Sequence, residues 1–166
     1  MKDAVGSTML VYIVIIIVGI VGAILIATNM YTSAYKAKNN IVSTIDRYYT
    51  INGDTNCFNN NDDSCIANIN DILKQMGYHV KNNLCNSEKV LKKVNKIALD
   101  DGTVADLVYP LNNNAFNGYC IFKNNVSTNE YYYTVVTFSH LNINVLGIGS
   151  LFSTPVYGET RIYYNS

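Results

Sequence analysis

The sequence predicts an α+β fold: a long N-terminal helix, transmembrane then amphipathic, packed on a C-terminal antiparallel β-sheet. Three observations predict it. No charged side chain stands between Asp3 and Lys36, and residues 9–27 are nearly all apolar. Beyond them Tyr31, Ala34, Ile41, Ile45 and Tyr48 keep a helical spacing, with Lys36, Lys38, Asn39, Asp46 and Arg47 on the polar faces. From residue 104 onward the pattern changes to alternation with period two, the mark of strands. The chain divides accordingly into a helix over 1–50 and an α+β domain over 51–166.

Nineteen residues at 1.5 Å rise span about 28 Å, close to the hydrocarbon thickness of a bilayer. A secretory signal has a shorter apolar core, a basic start and a small-residue cleavage site, whereas this chain starts Met1-Lys2-Asp3. The run reads as a membrane span. Within it Gly19, Ala23 and Ala27 recur every four residues with Gly22 beside them. Such a small face lets transmembrane helices approach closely, although Gly and Ala are also common in any membrane helix. No strong breaker follows until Asn52-Gly53, so one helix continues from about residue 3 to residue 49. Its second half is amphipathic and must lie against the domain that follows.

Residues 52–64 read as a polar loop. Oxygen ligands are dense in it, but Ser64 and Asn70 stand where a calcium loop of the EF-hand kind needs Gly and Glu, so a solvated turn is expected. Ile66, Ile69, Ile72, Leu73 and Met76 mark a short helix ended by Gly77 as its C′ residue. Val90, Leu91, Val94 and Ile97 mark another, with Ser87 as N-cap. Strands follow at 104–109 and 118–123 around an Asn-rich loop, then at 131–145, turning at Gly147-Ile148-Gly149-Ser150 into the last strand. In that strand Val156, Gly158, Thr160 and Ile162 face one way, and Tyr157, Glu159, Arg161 and Tyr163 the other. Strands with one polar face suit a sheet covered on one side by a helix.

Charge and cysteine usage limit function. Twelve basic residues balance twelve acidic ones, so there is no basic excess to neutralise phosphates and nucleic acid is not an expected partner. The 14 Tyr and the abundant Asn fit codon bias in an AT-rich genome as well as any function. His79 and His140 stand alone, there is no C-x-x-C pair, and no nucleophile has a placed base. No enzyme, metal site or cofactor is therefore expected. Asn125-Val126-Ser127 matches a glycosylation sequon, which arises by chance in an Asn-rich chain.

Orientation has two opposed signals. Lys36 and Lys38 would favour a cytoplasmic flank. Cys57, Cys65, Cys85 and Cys120 all follow the span, and an even count favours two disulfides in an oxidising exterior. Of three pairings, Cys57 with Cys65 and Cys85 with Cys120 are preferred, the alternative being four reduced thiols.

The stretch Ser7-Thr8-Met9-Leu10-Val11-Tyr12 running into the apolar helix, its continuation Met30-Tyr31-Thr32-Ser33-Ala34-Tyr35, and the closing hairpin over 132–146 and 152–163 resemble pilin-like proteins. Among these, the likeness is to the TadE-like minor pilins of tight-adherence (Flp-type) systems related to the type IV pilus. It covers about half the chain and leaves residues 53–118 unmatched. The resemblance implies a single-pass protein of the cell membrane with an extracellular domain. It would be a minor pilin or pseudopilin assembling into a surface filament (fimbrium) for adhesion, or part of related secretion machinery. The implied partners are the lipid bilayer, other pilin-like subunits along the apolar helix, and pilus or secretion platform proteins. Precursors of this kind are cut after a Gly that precedes a hydrophobic start with Glu at its fifth residue. Gly6 and Ser7 are the matching candidate site here, with Val11 at the fifth position. The alternative function is a single-pass surface protein whose outer domain binds a ligand or partner without forming filaments.

Overall fold

The computed structural model describes residues 2–52, 57–58, 64–78, 84–97, 105–109, 118–141 and 152–164. The chain runs through helix α1 (Lys2–Asn52), α2 (Ser64–Gln75) and α3 (Glu88–Ile97), then strands β1 (Asp106–Tyr109), β2 (Tyr119–Asn125), β3 (Glu130–Leu141), β4 (Phe152–Glu159) and β5 (Tyr163–Tyr164). The strands form one antiparallel sheet in the order β1-β2-β3-β4, with β5 also paired to β3. The fold is α+β, as the sequence predicts. The polar loop over 53–63 falls mostly outside the described residues, as do His79 and the turn at 147–150.

At 51 residues, α1 is about 76 Å long. Its domain half buries Ala34, Ala37, Ile41 and Ile45, each no more than 1% exposed, while Tyr48 is only half-buried and Tyr31 is exposed. The working stripe therefore begins with two alanines. Their small side chains let the helix backbone approach the sheet, and the Thr137 hydroxyl donates to the Ala34 carbonyl at 2.9 Å. Gly158 serves the same approach from β4, since a Cβ there would collide with the aliphatic stem of Lys38.

Helix α2 ends in a Schellman motif. Gly77 adopts φ 66°, its N–H donates to the Lys74 carbonyl, and the Tyr78 N–H reaches back to the Leu73 carbonyl, both at 3.0 Å. Helix α3 opens at Ser87, whose carbonyl accepts from Val90 N–H and Leu91 N–H. Both helix ends match the sequence reading.

The sheet departs from that reading in two ways. First, it is covered on both faces. In β2 the Tyr119 hydroxyl donates to the Asn70 side chain of α2, so Cys120 must point to the opposite face, where it is bonded to Cys85 just ahead of α3. Buried Val90 and Val94 of α3 complete that second layer, and every residue of β3 over 131–139 is buried. Of its polar members, Thr137 bonds the Ala34 carbonyl and Thr134 accepts from the Asn124 side-chain nitrogen of β2 at 2.7 Å, while the buried Asn124 side-chain oxygen has no partner among the described residues. Second, the last strand is broken. Thr160 N–H donates to the Tyr133 carbonyl, but the Tyr133 N–H finds the Thr160 hydroxyl instead of a main-chain acceptor. The irregularity shifts the alternation by one residue, so Tyr163 is buried (1% exposed) and Ile162 is 48% exposed.

Two disulfides, Cys57–Cys65 and Cys85–Cys120, close the domain with Cα separations of 5.4 and 5.7 Å, and no described cysteine is free. Both preferred pairings are present.

Candidate functional site: the bare apolar helix

Among the described residues one helix is long and apolar enough to cross a membrane, and none of its apolar stretch is buried. That exposure separates it from the core helix of a globular protein, whose apolar face is covered. Met9, Leu10, Tyr12, Ile15, Val18 and Leu25 are each more than 60% exposed. A Cβ added at Gly19 or Gly22 would meet nothing within 4 Å, and Ala23 and Ala27 are likewise exposed. All four residues of the small face are thus open to a neighbour. Gly6 and Ser7 lie within the helical backbone of α1.

The outer boundary of this apolar stretch is chemically marked. Thr28 and Thr32 turn their hydroxyls back on the helix, donating to the Leu25 and Thr28 carbonyls at 3.0 and 2.8 Å, so neither asks for a partner outside it. One turn on stand Tyr31 and then Tyr35, 50% and 47% exposed, with the Lys38 ammonium 4.1 Å from the Tyr35 ring centroid. Aromatic rings followed by lysines are what a headgroup layer accommodates. The sequence reading placed Tyr31 on the core-facing stripe. Its position between the end of the apolar run at Ala27 and the first lysine, Lys36, is the signal for an interfacial residue instead.

At its far end α1 is clamped by the C-terminal segment. The Arg161 guanidinium donates to the Thr50 hydroxyl and the Asp46 carbonyl, with its Nε 3.9 Å from the Asp46 carboxylate. The Tyr163 hydroxyl donates to the same carboxylate, its ring packs 4.1 Å from that of Tyr49, and the Tyr49 hydroxyl donates to the Tyr164 carbonyl at 3.0 Å. Burial, then the Asp46 carboxylate, raises the Tyr163 phenol well above its ordinary pKa. The buried Tyr78 phenol is pushed up to about 12 by burial, against the opposing effect of the Phe138 N–H it accepts. It donates to the Gly118 carbonyl at 2.9 Å, tying the α2 cap to the sheet.

Among the described residues no group of three or more His, Cys, Asp or Glu is placed to hold a metal ion. Most of the acidic loop considered for calcium, and His79, are outside them. The Asn125 sequon sits at an exposed hairpin end, where Val126 N–H and Ser127 N–H both bond the Glu130 carbonyl. Comparison with protein-family models, with curated proteins and with solved structures gives no match.

The chain therefore carries a helix suited to anchoring in a membrane, continuous with a disulfide-bonded domain.

Proposed function

We propose that this chain is a membrane-anchored pilin-like subunit, a minor pilin or pseudopilin, that takes part in assembling an extracellular filament or related secretion machinery. The observation that carries this reading is the undivided α1, bare and apolar in its first half and a layer of the domain core in its second. A plain anchor needs only hydrophobicity and a tether. Here the anchor is a rigid extension of the domain, so a partner that binds the apolar half also fixes the orientation of the outer domain. The open face of Gly19, Gly22, Ala23 and Ala27 supports packing against sister helices after the span leaves lipid. The role is structural rather than catalytic, with other pilin-like subunits and a platform protein as partners.

Shearing surface filaments from native cells and identifying their subunits by mass spectrometry tests the reading. Peptides of this chain should be found in the filaments, and the N-terminal peptide distinguishes a start at Met1 from one at Ser7. Retention of all the chain in the membrane fraction would refute filament assembly. One observation favours a second reading, a single-pass surface receptor: Val11 occupies the position where a pilin start carries Glu. Retention in the membrane is its expected result.

A further inference from the structure

We propose that the end of the β3–β4 ribbon nearest the apolar helix is a second lipid contact, seating the outer domain on the bilayer surface. This rests on the reading of the apolar half of α1 as a membrane span. Two contacts fix the direction of β3 along α1. Thr137 bonds the Ala34 carbonyl, and Tyr131 is paired with Tyr163, which bonds Asp46. The six residue steps from Tyr131 to Thr137 cover about 20 Å, and the twelve from Ala34 to Asp46 about 18 Å, so strand and helix run nearly antiparallel. The C-terminal end of β3 thus heads toward the span.

Pairing of β2 with β3 stops at Tyr119 with Thr137, but pairing of β3 with β4 continues to Leu141 with Phe152. A two-stranded ribbon therefore projects beyond the rest of the sheet. Four further residues of β3 reach about 13 Å past Thr137, as far as nine residues of helix. Counted back from Ala34, Leu141 and Phe152 stand level with about Leu25, at the outer boundary of the apolar stretch.

Charge is distributed to match. No Asp, Glu, Lys or Arg occurs between Glu130 and Glu159, just as none occurs between Asp3 and Lys36. Among the described residues the charges of the sheet stand at its other end: Asp106 pairs with Lys123, Lys123 with Tyr133, Glu159 with Thr134 and Glu130 with Tyr164. An uncharged ribbon held at that level meets the boundary between headgroups and acyl chains, where water can still satisfy its outer backbone groups.

The chain has no Trp, so a single introduced indole is the only one to report. Phe152→Trp, and Thr154→Trp at an exposed position, are made in the full chain and reconstituted into phosphatidylcholine–phosphatidylglycerol vesicles. Tyr12→Trp marks the span and Lys92→Trp, on exposed α3, marks water. The ribbon variants should emit to the blue of Lys92→Trp and lose emission to lipids brominated near the glycerol end of the acyl chain. Water-like, unquenched emission from both ribbon variants beside a quenched Tyr12→Trp overturns the ribbon contact alone. An unquenched Tyr12→Trp overturns the span, and this proposal with it. Blue-shifted ribbon emission that resists brominated lipid and grows with protein density identifies contact with a second copy, and overturns it too.

Discussion

Replacing Ile45 with Ala tests whether the amphipathic half of α1 is a structural layer of the domain. Ile45 is 1% exposed and belongs to the core cluster with Ile41, Val135, Tyr133 and Tyr163. Removing three buried carbons costs about 2.4 kcal/mol in transfer at about 0.8 kcal/mol each. If the neighbours do not collapse, a cavity of roughly 70 Å³ adds about 1.7 kcal/mol at about 24 cal/mol per Å³. The neighbours include a strand buried on both faces, so collapse is restricted and a total near 4 kcal/mol is expected. For a domain of this size that loss lowers Tm by roughly 8–16 °C. Thermal unfolding of the full chain in detergent micelles, followed by near-ultraviolet dichroism of its tyrosines, reads the shift. Ile24→Ala is the control: Ile24 is 56% exposed on the bare helix and its truncation should leave Tm unchanged. Equal melting of wild type and Ile45→Ala would mean that α1 does not pack where its burial indicates, and that something else covers the sheet.

The disulfides give a ranked pair. By loop length, with separations of 35 and 8 residues, Cys85→Ser with Cys120→Ser should cost about 3.8 kcal/mol and Cys57→Ser with Cys65→Ser about 2.5 kcal/mol in the chain-entropy account. Thiol labelling of the denatured, non-reduced protein should find no free thiol, and four labelled cysteines would refute both bonds. The Tyr78 phenol, raised to about 12 from an unfolded value near 10, keeps its proton in the folded state when the unfolded chain has lost it. Its contribution is therefore complete below pH 10 and declines as pH rises toward 12; Tyr78→Phe should flatten that part of a urea-midpoint profile, and an unchanged slope refutes the assignment. Leu at both Gly19 and Ala23 keeps the span apolar but fills its open face, so insertion should persist while cross-linking to sister subunits in native membranes is lost. Undiminished cross-linked species would make the small face incidental.

Much of this architecture was legible because its signals are local. The uncharged run, the 3.6-residue spacing after it, and Gly77 and Ser87 at helix ends each depend on a few adjacent residues. What escaped depends on partners far away in sequence. The burial of Tyr163 in place of Ile162 follows from one hydroxyl, Thr160, taking a ladder bond from Tyr133, and no alternation pattern encodes that choice. The second layer was hidden for a related reason. Asn124 and Thr134 carry polar side chains, yet both are buried and joined by a hydrogen bond within the sheet. In the candidate site, the open small face was readable from spacing alone, whereas Tyr31 was assigned to the core because its helical phase fits. The point at which α1 enters the buried core, Ala34, shows that Tyr31 lies ahead of it.

That point has a mechanical consequence. Among the described residues no hydrogen bond or ion pair ties the helix ahead of Ala34 to the domain, while from Ala34 to Thr50 it is held by a buried stripe, the Thr137 hydrogen bond and the Arg161–Tyr163 clamp. No loop intervenes between the two regimes. A pull on the apolar half therefore loads the helix–sheet interface along its length, in shear across the buried stripe and the side-chain bonds that flank it. The two halves are also separable in their energetics. Substitutions on the bare helix leave every contact of the core intact, so their effects on lipid insertion or subunit association can be read without a confounding loss of folding. The converse holds for Ile41 and Ile45, which touch no part of the span. Transfer from bilayer to a bundle of sister helices keeps the apolar surface away from water in both states, so shape complementarity along the helix becomes the deciding contribution. A rigid connection then makes that fit decide the placement of the disulfide-bonded domain as well.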